Sequence, residues 1–467
     1  MSYADFVSRK LSRVQPTGLS DVAGIMLPPG LFDFQDAIVR WALRRGRAAI
    51  FADTGLGKSR MQLAWADAVH RFTGHNVLIL APLAVAAQTV AEGESIGVAV
   101  KQCRDGAEVD AGITITNYDR LHRFDPAMFG AVVLDESSVI KHHTSKTLQT
   151  LLDTFAQTPF KLCATATPAP NDWTELGTHA QFLGVCTQTE MLAEYFVHDG
   201  GDTQTWRLKG HARGQFWRWV ASWASLVRKP DDLGFDGSRY NLPPLTVTQH
   251  TTPSMDHNPA ETGMLFALEA NTLSERRAAR KGSLEGRVAA CAAMVNADAE
   301  PWIVWCDLNA EGDALRAAIP GAVEIRGSDD PDVKEQRLID FAAGRIRVLI
   351  TKPSIAGFGL NWQHCARMAF VGVTDSWEAY YQAVRRCWRF GQKREVNVHI
   401  FASDLEGAIV ANLARKERDA NAMADALSAE TRDAVMQEVT GSTRQSNPYS
   451  PARTADIPAW LVSEEAA

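Results

Sequence analysis

A glycine-rich stretch that contains a lysine and a serine, ADTGLGKSR at residues 52–60, directly follows the apolar run 48–51. In such a strand–turn–helix, backbone N–H groups surround phosphate oxygens and the helix N-terminus adds partial positive charge. Lys58 is expected to reach the β- and γ-phosphates, and Ser59 to offer its hydroxyl to Mg²⁺. The general pattern has a further glycine where this chain has Ala52. The residues predicted to contact a bound nucleotide here are Thr54, Gly55, Leu56, Gly57, Lys58 and Ser59.

A second apolar run, at 131–134, ends in Asp135-Glu136. A carboxylate at the carboxyl end of a buried strand lies where a Mg²⁺ ligand belongs in a parallel sheet. Asp135 is therefore predicted to hold the metal, directly or through water, and Glu136 to orient or deprotonate an attacking water. With Lys58 and Ser59 upstream, the pair predicts binding and hydrolysis of ATP with Mg²⁺.

Short apolar runs alternate with helical stretches along most of the chain, which predicts an α/β fold with mostly parallel sheets. The predicted strands before residue 182 are 48–52, 77–81, 112–116, 131–134 and 160–164. Those after residue 285 are 302–305, 322–325, 348–351, 368–373 and 396–401. The predicted organisation is an N-terminal extension (1–30), a first ATP-binding domain (31–182), a helical insertion and linker rich in tryptophan and basic residues (183–284), a second domain (285–439) and a disordered tail (440–467).

Composition limits the class of protein. A chain of 467 residues is too long for one ordinary core, and its net charge of −7 gives no global sign of nucleic-acid binding, so a local basic groove would have to carry that role. The seven cysteines form no C-x-x-C pair, which argues against a zinc ribbon or a disulfide framework. Without a signal peptide or an apolar run of membrane-spanning length, the expectation is a soluble, cytoplasmic protein that does not bind membranes.

An ordered series of short segments over residues 31–402 resembles the superfamily-two helicases and, within them, the SWI/SNF-like double-stranded DNA translocases. In chain order the segments are FQ (34–35), ADTGLGKS (52–59), LILAPLAVAAQTV (78–90), ITITNYDRL (113–121), LDESSVIKHHTSK (134–146), ATATPAPND (164–172), VLITKPSIAGFGLNWQ (348–363) and YYQAVRRCWRFGQ (380–392). Ser137-Ser138 replaces the usual Ala-His, Trp388 replaces a usual histidine, and Arg385 is an additional base.

The resemblance implies two RecA-like domains in tandem with ATP bound between them. It implies that Gln35 reads adenine, and it places Gly357 and Gln382 near the nucleotide. It also implies that Arg386 and Arg389 of the second domain complete the site at the γ-phosphate, as arginine fingers do. The implied nucleic-acid contacts are Pro82, Asn117, Thr165, Thr351 and Asn361.

The segment 206–229, WRLKGHARGQFWRWVASWASLVRK, carries six Lys or Arg and no acid. Basic residues interleaved with aromatics suit a phosphate-binding surface. Helical spacing, however, puts Phe216, Trp219, Val220, Trp223 and Val227 on one face that is expected to pack in a core. Trp217 lies off that stripe and is predicted to be an exposed nucleic-acid contact.

The resulting prediction is a DNA-stimulated ATPase that moves along double-stranded DNA by opening and closing two motor domains, with little sequence specificity. Two alternatives stay open: a strand-separating helicase on single-stranded DNA or RNA, and a nucleotide-gated DNA-binding module without motor action. By resemblance, the compact chain suggests a prokaryotic or phage motor that acts in the cytoplasm, or the host cytoplasm, with replication or recombination proteins as possible partners.

Overall fold

The computed structural model of the protein describes residues 17–82, 85–170, 172–199, 202–252, 283–356, 361–372 and 376–403, together with isolated helical positions between 415 and 440. The first part of the N-terminal extension, Gly357 and the tail beyond Thr440 lie outside the described residues. The predictions for Gly357 and for the tail therefore remain predictions.

Seven parallel strands form the first sheet, in the spatial order β3-β4-β2-β5-β6-β1-β9. The strands are β1 Arg47–Ala52, β2 Val77–Ala81, β3 Val100–Gln102, β4 Ile113–Asn117, β5 Ala131–Asp135, β6 Phe160–Thr165 and β9 Ala224–Val227. The helices around this sheet are α1 Asp33–Arg45, α2 Lys58–Thr73, α3 Ala86–Ser95, α4 Lys146–Thr154, α5 Leu176–Leu183, α6 Gln188–Tyr195 and α7 Arg213–Ala221.

The central strands of this sheet are buried over their whole length, as expected for parallel strands covered on both faces. Successive side chains of β1 enter opposite layers of the core. Ile50 packs in one apolar cluster with residues of α1 and α2, whereas Phe51 packs in a second cluster with residues of α5 and α7. The sheet is thus the middle layer of three, and its carboxyl edge is left for the connecting loops.

Six parallel strands form the second sheet, in the order β10-β15-β14-β11-β13-β12. The strands are β10 Leu245–Thr252, β11 Trp302–Trp305, β12 Val323–Glu324, β13 Val348–Thr351, β14 Arg367–Phe370 and β15 Val396–Ser403. The helices are α8 Leu284–Asn296, α9 Asn309–Ala318, α10 Pro331–Ala342, α11 Pro353–Ala356 and α12 Trp377–Val384. The predicted α/β fold class, with two parallel sheets in tandem, is confirmed.

The range 183–284 contributes a strand to each of the two sheets. Strand β9 joins the first sheet beside β1, and β10 joins the second sheet beside β15. An antiparallel hairpin of β7 Phe196–Asp199 and β8 Asp202–Leu208 precedes α7. The chain therefore crosses from one domain to the other between Val227 and Leu245.

The prediction that Trp217 is exposed is wrong. Helix α7 ends at Ala221 and the chain continues as β9, so the expected helical stripe through Val227 does not exist. Trp217 is 1% exposed and packs edge-on against Trp173, with ring centroids 4.8 Å apart. Its side chain belongs to the core rather than to a nucleic-acid surface.

Within the described part of the chain, every helix is too short or too polar to span a bilayer.

Candidate active site between the two domains

The glycine-rich loop connects β1 to α2 at the carboxyl edge of the first sheet. Gly55 and Gly57 have φ angles of 93° and 78°, a left-handed conformation that strains any residue with a side chain. A Cβ at Gly57 would meet the Gln35 amide nitrogen at 2.3 Å, and one at Gly55 would meet the Phe390 backbone nitrogen at 3.0 Å. Both glycines are therefore required by the backbone path and by close neighbours.

Lys58 begins α2 with its ammonium turned back over the loop. Its Nζ donates to the carbonyl of Ala52 at 2.9 Å, and it lies in the field of Glu136 and two aspartates. Burial lowers the pKa of Lys58, and the Glu136, Asp53 and Asp135 carboxylates partly oppose that effect. The lysine is thus a half-buried cation beside three carboxylates, and its ammonium lies over the loop where it can bind a phosphate.

Asp135 is the last residue of β5 and Glu136 follows it, at the same edge of the sheet. Gln62, one helical turn after Lys58, donates its amide to Asp135 Oδ1 at 2.7 Å, and the Tyr118 hydroxyl donates to the Asp135 carbonyl at 2.7 Å. Burial, then the neighbouring Glu136 charge, raise the pKa of Asp135 to about 6. Sequence reasoning missed Gln62, although its spacing of four residues from Lys58 puts both on one helix face.

Glu136 has a φ of 50° and is the one non-glycine residue in the left-handed region among the residues described by the structure. Such strain concentrates at functional sites. The Thr165 hydroxyl donates to Glu136 Oε2 at 3.2 Å from the end of β6. The side chain of Glu136 is therefore oriented by a neighbouring strand.

Ser59 and Asp135 line the same cleft, as expected of Mg²⁺ ligands. Among the described residues no group of three or more His, Cys, Asp or Glu could hold a metal alone. This donor set nevertheless fits Mg²⁺, which commonly keeps water and takes one or two protein oxygens together with substrate phosphates.

Arginines of the second domain close the cleft opposite the loop. Arg386 and Arg389 lie just after α12 and line a cavity of about 300 Å³ together with Lys58, Glu136 and Ser59. Residues predicted from distant parts of the sequence thus meet in one cleft. The full lining is Phe32, Gln35, Thr54, Gly55, Gly57, Lys58, Ser59, Arg60, Val85, Gln88, Glu92, Asp135, Glu136, Tyr240, Asn361, Gln363, Arg386, Arg389 and Phe390.

The charges in this arginine cluster favour an anion. Burial, followed by the charges of Arg386 and Arg385, lowers the pKa of Arg389 to about 9. Burial also lowers the pKa of Arg386. Positively charged guanidinium groups repel one another where water is excluded, and a bound anion offsets that repulsion. This half of the cleft therefore suits a phosphate.

Three aromatic rings surround one end of the cleft. Tyr240 stacks on Phe390 with centroids 4.7 Å apart, and Phe32 contacts both rings at 5.9 and 6.4 Å. Apolar ring faces of this kind suit a nucleobase. The sequence patterns did not single out these residues, because Phe390 and Tyr240 come from the second domain and the connection.

Gln35 lines the cleft, but both ends of its amide have protein partners. Its Oε1 accepts from the Phe32 N–H at 2.9 Å, and its Nε2 donates to the Leu56 carbonyl at 2.8 Å. Leu56 and Gln382 are buried and are not among the lining residues. The backbone carbonyl of Gln382 instead accepts from Arg386 Nε at 2.9 Å. Direct nucleotide contacts by Gln35, Leu56 and Gln382 remain predictions.

Two of the proposed nucleic-acid contacts are wrong as side-chain contacts. Thr165 and Thr351 are fully buried at the ends of β6 and β13. The Thr165 hydroxyl donates a hydrogen bond to the Glu136 carboxylate, and the Thr351 hydroxyl donates to the Ile325 carbonyl at 3.2 Å. Short apolar runs do not reveal which polar residue at a strand end turns into the protein.

The remaining candidates lie in two places. Asn361 lines the cleft itself, and its buried Oδ1 has no hydrogen-bond partner among the residues that the structure describes, so a donor from a ligand would satisfy it. Pro82 and Asn117 line a second cavity of about 300 Å³ that also reaches Glu136 and Lys141. Their contact with nucleic acid remains a prediction.

No family model and no curated protein matches the sequence. Among solved structures 706 chains match. One is described as the Sulfolobus solfataricus SWI2/SNF2 ATPase core in complex with dsDNA, with 16% identity, a TM-score of 0.40, and coverage of 88% of this chain and 97% of that chain.

Proposed function

We propose that the protein is an ATP-dependent DNA translocase, which couples ATP hydrolysis to movement along double-stranded DNA. The observation that carries the ATPase assignment is the cleft. It combines Lys58 and Glu136 of the first domain with Arg386 and Arg389 of the second in one cavity of about 300 Å³. A cation at the loop, an oriented carboxylate and facing guanidinium groups are the parts that phosphoryl transfer to water needs.

In the proposed reaction the loop N–H groups and Lys58 bind the β- and γ-phosphates. Glu136, held by the Thr165 hydroxyl, orients the attacking water and accepts its proton. Arg386 and Arg389 stabilise the charge that develops on the transferred phosphoryl group. Mg²⁺, held by Ser59 and Asp135, would neutralise phosphate charge when bound.

Movement follows from the division of the site between two domains. Because the arginines lie on one domain and the loop on the other, ATP favours the closed arrangement and loss of the γ-phosphate removes that preference. Repeated closure can advance the two domains along a polymer. The choice of duplex DNA as the polymer rests on the sequence motifs described above, and contacts to its phosphate backbone would give little sequence preference.

Steady-state ATP hydrolysis without polymer and with duplex DNA, single-stranded DNA or RNA tests the proposal. We expect strong stimulation by duplex DNA. Lys58→Ala should abolish hydrolysis by weakening ATP binding, whereas Glu136→Gln should reduce kcat at least about 100-fold and keep ATP bound. Normal hydrolysis by both variants would refute the assigned site.

The polymer that stimulates hydrolysis separates the alternatives. Stimulation by single strands or RNA alone would favour a strand-separating helicase. ATP binding and duplex stimulation without displacement of a third strand from a triplex would favour a DNA-binding module without motor action. Triplex displacement that depends on Glu136 would support the translocase.

A further inference from the structure

One face of α12 makes the contacts between the two domains beside the cleft. Glu378 and Tyr381 of α12, and Arg385 at its C-cap, follow one another at three- and four-residue intervals, which brings their side chains to the same side of the helix. Each of the three contacts the first domain. The arginines assigned to phosphate, Arg386 and Arg389, come directly after this face.

At one end of this face, Arg385 holds Asp53, the first residue of the phosphate loop. Its Nη2 lies 3.0 Å from Asp53 Oδ2 and donates to the Thr54 carbonyl at 2.8 Å. The Tyr381 hydroxyl donates to Asp53 Oδ1 at 2.6 Å, an oxygen that also accepts from the Thr54 N–H. The second domain is thereby bonded to the backbone of the loop.

At the other end of this face the charges are reversed, and the second domain contributes the anion. Lys141 of the first domain pairs with Glu378 of α12, and the Thr167 hydroxyl donates to the same carboxylate at 3.3 Å. Both pairs are shielded: Arg385 is 7% exposed and Glu378 14%. Because one end of α12 is acidic and the other is basic, a shift of the helix along the first domain would break both ion pairs.

We propose that Asp53, Tyr381, Arg385, Lys141 and Glu378 form an interdomain clasp that sets the register of α12, so that Arg386 and Arg389 meet the γ-phosphate. These are positioning residues, and the inference rests on the proposed ATPase function. A third interdomain pair, Arg104–Asp332, has side chains 59% and 67% exposed and lies outside the clasp. Exposed pairs of this kind contribute little, so Arg104→Ala is a matched control.

Steady-state kinetics of the full chain test the clasp. Arg385→Gln should lower kcat about tenfold with little change in KM, because arginine placement matters in the transition state more than in ATP binding. Arg385→Lys should recover part of the loss, and Arg104→Ala should behave as the parent. Equal kcat in Arg385→Gln and Arg104→Ala would overturn the proposal.

A double-mutant cycle identifies the partner of Arg385. If Asp53 acts through Arg385, then Asp53→Asn combined with Arg385→Gln should lose no more than about the larger single effect. Losses that multiply in the double variant would show independent roles and would contradict the clasp. Thermal melting of each variant verifies that the comparison is between folded proteins.

Domain separation gives a measure that does not require ATP hydrolysis. Spin labels at Phe72→Cys and Ile339→Cys, exposed positions on α2 and α10, report the distance between domains. Without nucleotide, Arg385→Gln should lengthen or broaden that distance and Arg104→Ala should leave it unchanged. If no polymer supports ATP hydrolysis, the proposed function fails while this distance still decides the clasp: an unchanged distribution in Arg385→Gln refutes it.

Discussion

At the residue scale, the cleft depends on charged groups that the protein holds away from water. Asp135 illustrates the balance. Burial and the Glu136 charge raise its pKa to about 6, whereas the hydrogen bond from Gln62 favours the ionised form. Because the pKa in the folded state exceeds 3.8, this carboxyl stabilises the fold most below about pH 4, and that contribution is lost as the pH rises through about 6.

Binding of Mg²⁺ requires the opposite, ionised state of Asp135. We therefore predict that kcat/KM for ATP at low Mg²⁺ rises with pH through a midpoint near 6, and that more Mg²⁺ moves the midpoint down. Gln62→Leu removes the hydrogen bond to the carboxylate and should move the midpoint up by about one pH unit. The pH profile of kcat/KM at two Mg²⁺ concentrations measures both shifts.

The control for this prediction is another glutamine–aspartate pair. Gln336 donates to Asp340 at 2.8 Å on the exposed side of α10. Gln336→Leu should leave the profile unchanged. A Gln62→Leu profile that coincides with the parent's would show that Asp135 is not the group whose ionisation limits activity.

The spacing of residues predicted the phosphate side of the cleft better than its base side. Lys58, Asp135 and Glu136 follow the apolar runs of β1 and β5, which are visible in the sequence, whereas Arg386 and Arg389 were implied by the resemblance; all five line one cavity. Tyr240 is different: its neighbours Phe390 and Phe32 lie 150 or more positions away in the chain. Contacts of that separation arise from domain packing, which no local period encodes.

At the scale of elements, the range 213–227 changes from helix to strand within one continuous apolar pattern. Phe216, Trp219, Val220 and Trp223 repeat at helical intervals, yet Ala224–Val227 forms β9. A short apolar run of this kind fits a helix or a buried strand equally well by periodicity. The outcome was set by β1, which offers its free edge to β9.

We predict that Trp217→Ala lowers the free energy of unfolding of the first domain by about 3–5 kcal/mol, as expected for a large buried aromatic side chain. Affinity for DNA should stay unchanged at temperatures where the variant is folded. Urea unfolding monitored by circular dichroism, together with a binding titration, tests both statements. Trp219→Ala, at a partly buried position on the same helix, should cost less. Weaker DNA binding by folded Trp217→Ala would contradict its assignment to the core.

At the scale of the whole molecule, the sequence predicted two tandem α/β domains and five strands of each, but not the further strands that complete the two sheets. Strands β9 and β10 both come from the range assigned to the insertion, and they join different sheets. Domain boundaries that are drawn from composition cannot detect this pairing, because a strand joins whichever sheet edge the rest of the fold leaves unpaired.

A chain with a net charge of −7 binds DNA only through a local surface. If the protein is a translocase, its affinity for a duplex should fall linearly on a log–log plot against salt, with a slope of about −0.9 for each phosphate contacted. Two duplexes of unrelated sequence and equal length should bind alike. Anisotropy titrations at several salt concentrations measure this. A tenfold preference for one sequence would indicate base readout and contradict the proposal.

The connection between the domains passes through the cleft. Tyr240 lies between β9 and β10, where the chain leaves the first sheet for the second, and its ring stacks on Phe390. A nucleobase that stacks on these rings would therefore restrict the motion of the connection between β9 and β10 as well as fill the cleft. The connection would allow the two domains fewer relative orientations while nucleotide is bound and more after it dissociates, so each exchange of nucleotide would change how freely the domains reorient.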